Sequence, residues 1–126
     1  MFSLAACGGN KIKRAEEVAN LLKGTWGRQI PVGGTERITF SDISGNAGAI
    51  KYEAKYTAGN YICETGTFGV SINNDYEIEV VCMADVDKNG KVTKKDKPKN
   101  EVYTYTYENG KVTKINIGSV EYLKLN

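Results

Sequence analysis

From Gly24 onward the chain alternates apolar and polar residues with a period of two, and that alternation restricts its fold more than any other feature. Ile50, Tyr52, Ala54 and Tyr56 interleave with Lys51, Glu53 and Lys55. Ile38 and Phe40 alternate with Arg37 and Thr39, and Tyr76, Ile78, Val80 and Cys82 with Glu77 and Glu79. Side chains of a strand point to opposite faces in turn, so this pattern describes half-buried strands rather than helices. Turn signals punctuate the runs: Pro31 with Gly33-Gly34, the Ser41–Gly48 stretch, Ala58-Gly59-Asn60, Asn73-Asn74 and Asn109-Gly110. The last is a strong two-residue hairpin signal.

The strands expected are Trp26–Ile30, Glu36–Phe40, Ala49–Tyr56, Tyr61–Ile72, Tyr76–Cys82, Val102–Tyr107, Lys111–Ile117 and Val120–Leu125. Gly66 and Gly69 suggest bulges in the fourth. A polar, lysine-rich loop is expected from Asp85 to Asn100. Short turns make successive strands antiparallel neighbours. The sequence therefore predicts an all-β protein: an antiparallel up-and-down barrel of about eight short strands, whose closure leaves no sheet edge. A two-sheet sandwich is the alternative. One short helix precedes the strands, over residues 10–23. Asn10 is its candidate N-cap, Ile12, Ala15, Val18, Ala19 and Leu22 recur at helical spacing, and Gly24 can close it.

Composition excludes several functions. The 126 residues suit one domain, and 17 basic against 15 acidic residues leave a net charge of +2. That balance lacks the basic footprint of a nucleic-acid binder. The chain has no histidine, which removes Ser/His and Cys/His nucleophilic systems and the commonest zinc ligand sets. Glu77 and Glu79 share an outward face and form no acid/base pair across a cleft. We expect no enzyme and no resident cofactor.

Two resemblances add to this. Leu4-Ala5-Ala6-Cys7 resembles the lipobox of bacterial lipoproteins, with small residues before the cysteine. It implies that residues 1–9 are a signal remnant and lipid-attachment region, that Cys7 carries acyl chains, and that a single domain, 10–126, faces an extracytoplasmic compartment of a bacterial cell envelope. The membrane would be met through that anchor, with Lys11, Lys13 and Arg14 near its surface. Gly24-Thr25-Trp26, opening the first strand after a helix, resembles the Gly-x-Trp motif of small bacterial lipocalin-like lipoproteins. Ala58-Gly59-Asn60-Tyr61 and Gly66-Thr67-Phe68 are similar to further motifs of that family. The resemblance implies that Trp26 lies at the closed end of a ligand-binding barrel. A Thr-Asp-Tyr motif and an arginine near the last strand, over the tryptophan, are missing.

Binding is the expected work. Trp26, Tyr52, Tyr56 and Tyr76 are candidates to line a pocket for a small apolar or aromatic molecule, unless side chains fill the interior. A filled interior would favour a protein-interaction or inhibitor module. Tyr103, Tyr105 and Tyr107 are expected on the outer face, because the Asn109-Gly110 turn places Tyr105 opposite Lys114 and Tyr103 opposite Asn116. A monomer is expected.

Asp85 to Asp96 fits a calcium loop, with Asp85, Asp87, Asn89 and Asp96 among the oxygen ligands and Gly90 at the sharp turn. However, Asn89-Gly90-Lys91-Val92-Thr93-Lys94 recurs as Asn109-Gly110-Lys111-Val112-Thr113-Lys114, so the first copy also reads as a hairpin. Cys63 and Cys82 are a candidate disulfide of an exported protein. A two-residue turn at Asn73-Asn74 places Cys82 opposite Thr65 and Cys63 opposite Ala84, and bulges at Gly66 and Gly69 would bring them opposite each other.

Overall fold

The computed structural model describes the backbone of residues 3–125 and the side chains of residues 9–125. One helix, α1 (Ser3–Leu22), is followed by eight strands: β1 (Gly24–Gln29), β2 (Gly34–Ser44), β3 (Ala47–Tyr56), β4 (Tyr61–Val70), β5 (Glu77–Val86), β6 (Val92–Glu108), β7 (Lys111–Ile117) and β8 (Val120–Lys124). Every strand pairs antiparallel with the next, and β1 closes on β8 through Trp26 opposite Lys124 and Gly27 opposite Leu123. The chain is thus an up-and-down barrel and not a sandwich. Among the described residues, no helix is long and apolar enough to cross a membrane.

The helix seals one end. Ala15, Val18, Ala19 and Leu22 are buried against Trp26, Ile38, Phe40, Ile50, Phe68, Ile78 and Ile115. Phe40 and Phe68 meet edge to face at 4.9 Å, a favoured aromatic geometry. Asn10 lies inside the helix and not at its N-cap. Ile12, expected on the buried stripe, is 45 % exposed. The last turn leaves carbonyls without helical partners, and tertiary contacts satisfy them. Trp26 Nε1 donates to the Leu22 carbonyl at 2.9 Å, while Lys124 Nζ donates to those of Lys23 at 2.8 Å and Leu21 at 3.4 Å. Lys124 also lies 4.9 Å from the centre of the Trp26 ring. The last strand thus covers the indole with a lysine instead of an arginine.

The strands run further than the sequence suggests. The Ser41–Gly48 stretch is mostly strand, turning only at Gly45 and Asn46. The Asp85–Asn100 stretch is a hairpin and not a loop: Val86 pairs with Val92, and Asp87 to Lys91 form the turn. Opposite Met83, the segment Lys95 to Pro98 leaves the register. A bulge tolerates proline because no ladder hydrogen bond is missing there.

Two register shifts decide which side chains enter the barrel. Between β4 and β5, Thr65 opposes Ala84 but Gly66 opposes Cys82. The extra residue is Met83 on β5, and Gly69 pairs regularly with Glu79. Gly66 is present because a Cβ there would lie 1.8 Å from the Val81 carbonyl oxygen. Between β6 and β7, Tyr107 opposes Val112 as expected, but Thr106 opposes Lys114 and Tyr105 opposes Ile115. A one-residue slip exchanges the two faces of a strand. Tyr103 and Tyr105 are consequently buried inside, at 1 % and 8 % exposure, and not on an outer face.

Candidate binding site

The end of the barrel away from the helix is built differently. The alternation that sends Ile38 and Phe40 inward also sends Glu36 inward on β2, where it is 7 % exposed. A buried carboxylate needs hydrogen bonds or a cation. Glu36 has both: Arg28 Nε on β1 donates at 2.5 Å, Tyr122 on β8 donates at 3.1 Å, and the Tyr52 hydroxyl on β3 donates to the same carboxylate. Burial pushes the pKa of this carboxyl up, but the hydrogen bonds from Tyr52 and Arg28 and the guanidinium charge outweigh it and hold it below the ordinary carboxylate value. Burial and the Glu36 charge raise the Tyr122 hydroxyl to about 12 and Tyr52 still further.

Glu64 on β4 is the second inward carboxylate, also 7 % exposed. Lys95 Nζ reaches it at 2.8 Å and Lys99 Nζ at 3.2 Å, both from β6. Here too burial acts upward, and the two ammonium groups bring the carboxyl below its ordinary value. Lys95 also pairs with Asp85 at 2.7 Å and Lys99 with Glu101 at 3.2 Å. The segment out of register around Lys95 to Pro98 carries these lysines to the mouth.

Between the two carboxylates lies a cavity of about 240 Å³, whose lining includes the rings of Tyr52, Tyr103 and Tyr122 with Ile62 and Ile117. Tyr103 differs from its neighbours. It is 1 % exposed, yet its hydroxyl has no hydrogen-bond partner among the described residues. No side-chain polar atom sealed from solvent lacks a partner, so this hydroxyl opens onto the cavity. Burial raises its pKa well above that of an ordinary tyrosine, so it is a proton donor at any physiological pH.

The residues expected to line one pocket are dispersed. Tyr52 lines the cavity. Tyr56 stands at the same end of β3, over a surface recess beside Glu53, Lys55 and Tyr61. Trp26 is sealed under the helix at the other end, 1 % exposed. Tyr76 does not point inward: it is 49 % exposed, in the β4–β5 connection, with φ at +64°.

The calcium set is not assembled. Asp87 Oδ1 accepts the backbone N–H groups of Asn89 and Lys91, both at 2.9 Å, which holds the hairpin turn. Asp85 is taken by Lys95, and Asp96 is exposed on β6. Among the described residues, no cluster of three or more acidic or cysteine side chains could hold a metal ion. Cys63 and Cys82 are free thiols, not a disulfide. Cys82 packs in the interior cluster opposite Gly66, whereas Cys63 pairs with Glu53 and adjoins Tyr61 on the outer wall. The side chain of Cys7, the expected lipid site, lies outside the described residues.

The chain matches no family model, no curated protein and no solved structure.

Sequence reasoning does not single out Glu36, Glu64, Tyr122 or the cations that hold the carboxylates, and it places Tyr103 on the outer face instead of at the cavity. For Glu36 a signal exists: it shares the parity of Ile38 and Phe40, which marks a charge on a core face. For Tyr103, Lys95 and Lys99 no such signal exists, because their positions depend on where β6 leaves its register.

Proposed function

We propose that the chain is a binding protein whose open half takes up a small neutral molecule with a ring-sized apolar body and one hydrogen-bond acceptor. The observation that carries this is the Tyr103 hydroxyl, a donor with no protein partner among the described residues that opens onto the cavity from a buried ring. A ligand acceptor would take the place of water there and gain the net worth of one hydrogen bond. The size fits: a cavity of about 150 Å³ accommodates benzene, and typical drug-sized pockets start near 300 Å³. Neutrality follows from the charges at the mouth. Glu36 and Glu64 are each already held by cations, so a charged ligand would have to displace one of them.

The carboxylates so engaged support binding without catalysis. The Leu4-Ala5-Ala6-Cys7 lipobox-like motif supports a lipid anchor in a bacterial cell envelope. The Gly24-Thr25-Trp26 motif, the helix over Trp26 and the closed barrel support a place among lipocalin-like lipoproteins.

Titration of the ¹⁵N-labelled protein with acetophenone, a neutral ring ketone, tests the site. Amide signals of Tyr103, Ile117 and Tyr122 are expected to move together and saturate. Tyr103→Phe should weaken binding roughly three- to tenfold, the worth of one hydrogen bond. Equal affinity of that variant, or shifts confined to other parts of the barrel, would refute the proposal.

A further inference from the structure

A second cleft, of about 280 Å³, lies at the helix end, between α1 and the connection from β4 to β5. Its lining includes Lys11 and Arg14 from the helix, Ile72, Asp75 and Tyr76 from the connection, and Tyr105 from β6. Three observations set it apart.

The first is unused charge of both signs. Arg14 stacks over the Tyr107 ring at 3.9 Å, and it has no carboxylate partner among the described residues. Stacking leaves guanidinium N–H donors free in the ring plane. Asp75 and Lys11 likewise make no ion pair and no side-chain hydrogen bond among the described residues. Arg14 and Asp75 nevertheless act on one group: burial raises the Tyr105 pKa, against which Arg14 pulls it down, while Asp75 pushes it up.

The second is backbone strain. Tyr76 adopts φ +64°, a region that bulky L-residues avoid. The Tyr105 N–H holds it there by donating to the Tyr76 carbonyl at 3.0 Å, and the two rings meet edge to face at 5.8 Å. Such strain persists where neighbours over-determine it, and functional sites are where it collects. The third is the result of that strain: an aromatic ring, 49 % exposed, stands beside the Asp75 carboxylate at the cleft.

A simple anion would face Asp75, and a simple cation would face Arg14 and Lys11. A molecule bearing both charges satisfies all of these groups. We infer that this cleft binds a free α-amino acid with an apolar side chain. Its carboxylate is received by the Arg14 guanidinium with Lys11, and its ammonium by the Asp75 carboxylate and the face of the Tyr76 ring. Its side chain lies on Ile72 and Tyr105.

The test is titration of the ¹⁵N-labelled full chain with L-leucine, with 4-methylpentanoate, which lacks the ammonium, and with 3-methylbutylamine, which lacks the carboxylate. Amides of Arg14, Asp75 and Tyr76 are expected to shift saturably with L-leucine. Each half-analogue, and each of the exposed variants Arg14→Gln and Asp75→Asn, should bind roughly tenfold weaker or more. Tyr76→Asn, which tolerates the left-handed backbone, should retain the fold and lose affinity as well. Lack of a saturable response up to about 20 mM L-leucine, or half-analogues binding as tightly as L-leucine, would overturn the assignment. Phosphoethanolamine carries the same two charges in the form of a lipid headgroup. A response to it without one to L-leucine would overturn the amino-acid assignment too.

Discussion

Replacing Glu36 by glutamine keeps the shape of the side chain and removes its charge, and the surroundings fix what that should cost. The carboxylate accepts from Arg28, Tyr52 and Tyr122. A hydrogen bond to a charged group contributes about 1.5–3 kcal/mol, and breaking a fully buried ion pair costs about 3–5 kcal/mol. Two features reduce the loss here. The Arg28 side chain is 27 % exposed and can rehydrate, and the amide oxygen of glutamine still accepts from a tyrosine. We expect a loss of about 2–3 kcal/mol at pH 7. With a urea m-value of about 1.5 kcal/mol/M, the midpoint should fall by about 1.3–2 M.

The pH dependence separates charge from packing. The pKa of Glu36 is lowered in the folded state, so its contribution is present above the unfolded value and is lost as pH falls through the folded one. The gap between the parent protein and Glu36→Gln should therefore be widest near neutrality and narrow on acidification below about pH 4. The Glu64 carboxyl is lowered as well, but it titrates in both proteins and cancels in their difference. A loss under about 0.5 kcal/mol would mean that the group behaves as a surface pair. A gap that stays constant into the acid range would show that shape, not charge, is what the barrel needs at this position.

Three further outcomes follow from the packing of the barrel. Gly66→Ala should cost about 3 kcal/mol or more, because its Cβ meets the Val81 carbonyl at 1.8 Å, whereas Gly69→Ala, whose nearest neighbour is the Asn46 carbonyl at 4.0 Å, should cost under about 1 kcal/mol; urea unfolding of the two variants decides it. Lys124→Met should lower the melting temperature by about 4 °C, since it removes a cation from the helix C-terminus and from the Trp26 ring, and an unchanged melt would deny the lysine that role. Burial pushes the Cys82 thiol up to about 11, so peptide mapping after iodoacetamide treatment at pH 8 should find Cys82 unmodified in folded protein and modified once urea is added, and rapid native labelling would contradict its burial.

Periodicity was sufficient to identify the strands, because one face of each must be buried and that requirement is written at every second residue. Ile38, Phe40, Ile50 and Ala54 are buried where the alternation puts them. The helix was legible for the same reason, and so was the glycine after it, Gly24 at φ +119°. What escaped was register. The extra residue at Met83, the segment Lys95 to Pro98 and the slip between Thr106 and Tyr107 each rotate a strand against its neighbour. Gly66 marks the place of the first but not the strand that carries the extra residue, and no local pattern marks the other two, since they depend on how eight strands close around one volume. The alternation therefore puts the tyrosines of β6 on the wrong face, and the polar composition puts Lys95 and Lys99 in a loop. Tyr76 escaped for another reason. Its alternation with Ile78 continues the strand pattern into a connection whose backbone is reversed by tertiary contacts with Tyr105.

The placement of charge inside this barrel argues about its purpose. Ala15, Val18, Leu22, Trp26, Phe40 and Phe68 fill the half beneath the helix, and burial of such groups contributes about 25 cal/mol per Å² of apolar surface. That half alone has the makings of a stable core. The other half buries Glu36 and Glu64 with their cations, at positions where apolar residues of similar volume would hold the barrel as well or better. Stability therefore gives no reason for these carboxylates. The proposed binding role gives one: Glu36 fixes the rings of Tyr52 and Tyr122, and Glu64 holds the amino groups of Lys95 and Lys99, so the walls around the Tyr103 hydroxyl would be ordered before a ligand enters. A cavity whose walls are already set loses less entropy on binding. The same reasoning makes Glu36→Gln informative beyond stability: if Glu36 orders the cavity, acetophenone should bind the variant more weakly even where the barrel remains fully folded.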